Sequence, residues 1–400
     1  MKILILFSFT LFYVSALFGQ QPVDYILKAR ALKEAGKPDQ AIMLLDEAIS
    51  GSKDVRLLLE RADANIVKGD YSGAIRDYNE SNMLSPSSGE YGLARIYALK
   101  GDESTALYHL ELNLNSSSKK SEKEIMLDPA FSSVENRQGW RNFWKKERYS
   151  IQEKGLSEIE YYASLGKIEE SRVIIAELKR SYDDNPEIQY AEGITELASG
   201  NFSQALKTLS LLNTTAPGNE KYLRALAKAQ SGASNPAGAS ATYSMLRGLG
   251  VADAELYLLR AECYGKTGED DKAIADLRKY LEIYPENRKA LSLAGKTEAK
   301  SGDNLEALRY FSENLKLHPN DPECYIDRAN SYFVAKSWDM AINDYSMSLD
   351  LKPSNSDVWL NKGISLLNKG KVDDACHDFR RAFSLGNKRV TEFISRHCIK

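Results

Sequence analysis

Four histidines and four cysteines are the scarce reactive side chains of this 400-residue chain, and two pairs adjoin: Cys376-His377 and His397-Cys398. Two thiolates and two imidazoles make a possible ligand set for tetrahedral zinc. Neighbours on a helix diverge by about 100°, so both members of each pair cannot face one ion, and no metal is expected. The same cysteines offer a second chemistry. Cys376 lies ten residues before Gly386 and Cys398 twelve after it. A helix pair over 373–384 and 388–398, turning at that glycine, brings both to one level. A disulfide Cys376–Cys398 follows in an oxidising compartment. Cys263 and Cys324 read instead as small buried hydrophobes. His109 and His318 stand far apart, and no Ser-His-Asp set, His-x-x-x-His pair or glycine-rich phosphate loop occurs. The carboxylate pairs Asp270-Asp271 and Asp373-Asp374 open helical stretches, where negative charge suits the helix N-terminus. No catalytic residue and no cofactor is assigned, and an enzyme is not expected.

What positions these residues is a period. Small residues recur every 34 positions at Ala205, Ala239, Ala273, Ala307, Ala341 and Ala375. A Leu or aromatic follows each by four: Leu209, Tyr243, Leu277, Phe311, Tyr345 and Phe379. A fixed period of this length means stacked supersecondary units. Within the copy 254–287, Tyr257, Ala261 and Tyr264 share one helical face, and Ala273, Leu277 and Leu281 share another. Gly268 separates the two stripes, as Gly36, Gly69, Gly101, Gly166, Gly200, Gly302 and Gly370 do in other copies. Pro217, Pro285, Pro319 and Pro353 close copies. Ala261 or Gly295, set against Ala273 or Ala307, lets the two backbones approach.

Trp359-x-x-Lys362-Gly363-x-x-Leu366, followed by Ala375-x-x-x-Phe379, resembles the tetratricopeptide repeat (TPR) signature, with Lys362 in place of its usual Leu. The resemblance extends over units at 22–54, 55–86, 87–114, 152–185, 186–219, 220–253, 254–287, 288–321, 322–355 and 356–389. It implies an all-α fold, an α-α superhelix or TPR solenoid, whose concave side binds other proteins without catalysis. Val390, Phe393, Ile394 and His397 form one stripe, as a C-terminal capping helix requires.

The chain then divides as follows. Residues 1–20 read as a signal peptide: Lys2, an apolar run from Ile3 to Phe18, and small residues at Val14-Ser15-Ala16. Export to the periplasm, cell surface or medium is expected, with no transmembrane segment after cleavage. Residues 21–114 hold an N-terminal array of three repeats. Residues 115–151 form a helical insert with Asp128-Pro129-Ala130-Phe131 and the aromatics Trp140, Phe143 and Trp144. Those aromatics read either as a docking site or, preferably, as a seal over the third repeat. Residues 152–400 hold seven repeats, the first degenerate, and the cap.

A formal charge of −3 lacks the concentrated basic face of a nucleic-acid binder, and no small-molecule substrate is evident. The expected function is an exported scaffold that takes a protein or peptide in its groove; a structural subunit of an envelope or secretion assembly is the alternative. By the resemblance, the inner faces of the first helices line the groove. They carry Ile326, Asn330, Phe333 and Val334, then Leu360, Asn361, Ile364 and Leu367. Upstream they carry the basic Lys221, Arg224, Lys228, Lys289, Lys296 and Lys300. A basic stretch followed by an apolar one suits an acidic partner segment with a few apolar anchors, although the apolar residues also read as packing between first helices. TPRs that grip chaperone tails use Lys and Asn to clamp a carboxylate. The matching positions are Ser292 and Lys296, Asp327 and Asn330, and Asp357 and Asn361, and the two aspartates disfavour that role.

Overall fold

The computed structural model describes residues 21–182 and 185–398; the expected leader, 1–20, lies outside the described residues. Every regular element among the described residues is helical. The chain forms two compact units that divide between Lys146 and Glu147.

In the first unit α1 (Pro22–Glu34) pairs with α2 (Pro38–Gly51), α3 (Val55–Lys68) with α4 (Tyr71–Leu84), and α5 (Glu90–Leu99) with α6 (Glu103–Leu114). The short helices α7 (Glu122–Met126) and α8 (Gln138–Phe143) follow, with a 3₁₀ turn at Pro129–Phe131 between them. This insert folds back on the third hairpin. Asp128 accepts from the Tyr91 hydroxyl at 2.8 Å and pairs with Arg95 at 2.9 Å. The amide of Trp140 donates to Glu103 at 2.7 Å, and Phe131, Val134 and Trp140 are buried. The aromatics are therefore spent inside the unit, closing the apolar end of the third hairpin.

In the second unit α9 (Ile151–Ser164) pairs with α10 (Ile168–Ser181), α11 (Pro186–Ala198) with α12 (Phe202–Thr215), and α13 (Glu220–Gly232) with α14 (Pro236–Gly248). Four more hairpins follow: α15 (Glu255–Thr267) with α16 (Asp270–Ile283), α17 (Arg288–Ser301) with α18 (Asn304–Leu317), α19 (Pro322–Val334) with α20 (Trp338–Leu351), and α21 (Ser356–Asn368) with α22 (Val372–Ser384). A 3₁₀ turn at Lys388–Val390 leads into α23 (Thr391–His397).

Several of the helices begin where a short polar side chain satisfies a free backbone N–H group. Asn219, Asn287 and Asn355 each accept from an amide of the first turn of α13, α17 and α21. They end at the turns the glycines marked, and all eight of those glycines have positive φ. Two copies lack the glycine, and there Ser234 and Lys336 take the same left-handed turn, at φ 55° and 57°. The register of the turn thus survives without the residue that makes it easy.

The 34-residue register is the core register. All six period alanines and all six residues four places on are buried. The small residue of the first helix serves a different neighbour from the one expected. A Cβ on Gly295 would come within 2.5 Å of the Phe311 ring, and one on Gly363 within 2.6 Å of Phe379. The glycine makes room for the aromatic sixteen residues on, because the large ring, not the period alanine, crosses to the first helix.

Candidate functional site

Helices α15, α17 and α19 are consecutive first helices, and together they line a groove of about 610 Å³. Lys289, Ser292, Lys296 and Lys300 follow one another at helical spacing along α17 and face it. Their charges are answered by neighbouring hairpins. Lys289 pairs with Glu262 of α15. Lys300 Nζ lies 2.7 Å from Asp270, at the start of α16. Lys296 Nζ lies 2.9 Å from Asp327 of α19, whose other oxygen accepts from Ser292 at 2.5 Å. Only Asp327 among these is buried. The exposed pairs add little stability individually; what they fix is the position of each ammonium above the groove.

The expected basic stretch is therefore a charge-balanced one. Upstream, Lys221 pairs with Glu160 and Glu187, and Arg224 with Glu220 and Asp253. Lys228 is exposed and has no ion pair among the described residues. Counting like charges along first helices misses carboxylates that arrive from other helices about thirty residues away. The clamp positions are occupied in the same way: Lys296 and Ser292 are held by Asp327, and Asp357 accepts from Asn387 at 2.9 Å.

The apolar half of the expected groove is largely core. Leu360 is 1% exposed, in a cluster with Phe379, Ala382 and Val390. It does not line a groove, because its turn of α21 is covered by α22 and the cap. Ile364 and Leu367 pack half-buried on the same cluster. Ile326 and Phe333 pack on the cluster around Tyr345, with the Phe333 ring 5.4 Å from that of Trp338. Asn361 is half-buried. Val334, 73% exposed, and Asn330, which accepts from the Tyr345 hydroxyl at 2.7 Å, remain at the surface.

A second set of polar residues escaped the sequence reading. Arg61, Arg260, Arg328 and Lys362 stand at one register position of their first helices, and each meets an aspartate sixteen residues on. Arg328 forks onto Asp344 at 2.7 and 2.8 Å, and Arg260 onto Asp276 at 2.7 Å twice. Asp77, Asp276, Asp344 and Asp378 are all buried. The bonds to Asp344 hold the Arg328 guanidinium above its ordinary range. Arg61 also reaches Asp46 of α2 at 2.6 Å, and Arg260 reaches Ser244 of α14 at 2.9 Å. In these two copies one cation thus ties its own hairpin and the preceding one; Lys362 stands at the same position and answers the buried Asp378 of its own hairpin, 3.3 Å away. The signal was present as Arg or Lys at i with Asp at i+16 in several copies.

Cys376 and Cys398 are joined by a disulfide with their Cα atoms 5.5 Å apart, fastening α23 to α22. Their sulfurs are thus committed to each other, and His377 is mostly exposed beside Asp378. Cys263 and Cys324 are free and buried, and burial pushes the Cys324 thiol up to about 11.

Two tetratricopeptide repeat family models match the chain, one at residues 254–287 and one at residues 26–81. The chain is 27% identical over 146 residues to the DnaJ homolog subfamily C member 7 homolog of Schizosaccharomyces pombe, across 32% of this chain and 30% of that protein. It is 30% identical over 115 residues to DnaJ homolog subfamily C member 3 of Gallus gallus, across 26% of this chain and 23% of that protein. The chain thus spans less than a third of the length of either relative. Among solved structures it is similar to a tetratricopeptide repeat protein from Parabacteroides merdae, at a TM-score of 0.46 and 19% identity, over 62% of this chain and 98% of that one. A 34-residue register that closes into buried helix hairpins from 186 to 389, with the family's models matching residues 254–287 and 26–81, places tetratricopeptide repeats in both units of this chain.

Proposed function

We propose that the chain is an exported scaffold that captures a segment of a partner protein in the groove of α15, α17 and α19, without catalysing a reaction. The observation that carries this reading is the groove itself: three consecutive first helices present a fixed stripe of ammonium and carboxylate groups over an open floor of about 610 Å³. Tetratricopeptide repeat arrays generally serve as protein-interaction scaffolds, and a polar groove between repeats takes a peptide main chain through its own donors and acceptors. Export draws its support from the charged start, apolar run and small residues of Met1–Gln20. A disulfide at the cap also suits an oxidising compartment.

The test uses Lys289→Ala with Lys300→Ala. Both lysines are more than half exposed, so the double variant should keep its fold within about 1 kcal/mol. Peptides selected on the chain from a random 12-residue display library should bind this variant more weakly. Unchanged binding would place the site elsewhere. The mass of the N-terminus after expression in a host with a secretion pathway tests export: a chain still beginning at Met1 in the cytoplasm contradicts it.

A further inference from the structure

Gly265 is a glycine that the fold does not explain. It lies inside α15, two residues before that helix ends at Thr267, where glycine is the least favourable choice short of proline. Its φ is not left-handed, unlike that of Gly268 at the helix end. A Cβ built on it meets nothing within 4 Å, whereas one on Gly295 or Gly363 would strike a phenyl ring. Neither backbone conformation nor packing within the chain asks for it, and alanine would serve the helix better.

What surrounds it is the groove. Gly265 lines the cavity between Lys266 and the lysines of α17. Lys300 Nζ stands 3.4 Å from its carbonyl oxygen and 2.7 Å from Asp270. Lys266 is exposed and forms no ion pair with the described residues. The bare backbone therefore sits beside one ammonium held in place and one unanswered.

Resting on the groove reading above, we infer that Gly265 is the point at which a partner's main chain touches α15, and that the partner residue seated there is an aspartate or glutamate. A missing Cβ allows a second backbone to approach closely. Lys300 is already anchored over that spot and exchanges Asp270 for the incoming carboxylate, while Lys266 contributes the second positive charge. The exchange replaces one ion pair by another, so the gain lies in shape and in the new charge that Lys266 meets.

The test selects 12-residue peptides from a random display library on the intact chain, then measures the strongest by fluorescence anisotropy against the chain and two variants. The selected peptides should be enriched in Asp and Glu. Gly265→Ala should raise the melting temperature, because alanine is the better helix former, and still bind about tenfold more weakly. Gly265→Leu should bind more weakly again. Peptides that are basic, or that bind both variants as tightly as the original chain, overturn the inference. In that event the Lys289→Ala/Lys300→Ala variant separates the two claims: weakened binding there keeps the groove and removes only its acidic seat, and unchanged binding removes both.

Discussion

Removing Arg328 should cost far more than removing the aspartate it holds, and removing both should cost least. The Asp344 side chain is 8% exposed and takes its two donors from Arg328, which is itself 23% exposed. In Arg328→Leu the carboxylate stays buried without its charge partner, a defect worth about 3–5 kcal/mol in a dry interior. Water admitted beside the half-buried arginine site reduces that to about 2–4 kcal/mol. In Asp344→Leu the guanidinium can swing its head toward solvent on its apolar stem, so about 1–2 kcal/mol is expected. With both leucines in place neither charge is desolvated, and the double variant should fall within about 1 kcal/mol of the original chain. A global transition is a poor reporter in a repeat array, where neighbours unfold semi-independently. Hydrogen exchange of the α19 and α20 amides under mildly denaturing conditions reads the effect locally. The reasoning is refuted if Arg328→Leu behaves as an ordinary surface change, below about 0.5 kcal/mol, or if the double variant loses the sum of the two singles.

Three further outcomes follow from the fold. Lys336→Gly should stabilise the chain by about 0.5–1 kcal/mol in urea titration, because Lys336 holds a left-handed turn at φ 57° that glycine adopts freely. Ala307→Trp should strip exchange protection from α17 and α18 and loosen the hairpins on either side, because Ala307 is fully buried. Residues 22–114, in the other compact unit, should keep theirs. Thiol titration near neutral pH should find none of the four cysteines reactive in the native chain, two in denaturant, and four in denaturant after reduction. A Cys324 thiol raised to about 11 by burial is protonated throughout that range, in line with the first of those counts.

The architecture was legible because each copy repeats the same physical instructions. Period alanines, a Leu or aromatic four places on and a turn residue point to one hairpin in copy after copy, and even the irregular copy at 220–253 folds as α13 and α14. The groove was legible as a location more than as a chemistry. Lys296 and Lys300 do face it, but the carboxylates that neutralise them come from Asp327 and Asp270, thirty-odd residues away in the chain and adjacent only once the repeats stack. Leu360 failed for the opposite reason. The same register position lines the groove as Ser292 but is buried as Leu258, and in the last hairpin Leu360 joins the cluster of Phe379 on α22 and Val390 before the cap. The Arg–Asp pairs were missed because an arginine at a position that usually carries leucine reads as a departure from the pattern, until its partner sixteen residues later is seen in the same register.

Hydrogen exchange of the intact chain, with and without a display-selected peptide at saturating concentration, tests capture in the α15–α19 groove most directly. Binding there should slow exchange of backbone amides over 262–270 and 288–300, and leave 22–114 unchanged. Protection confined to residues 22–114, or to the second helices alone, would contradict it.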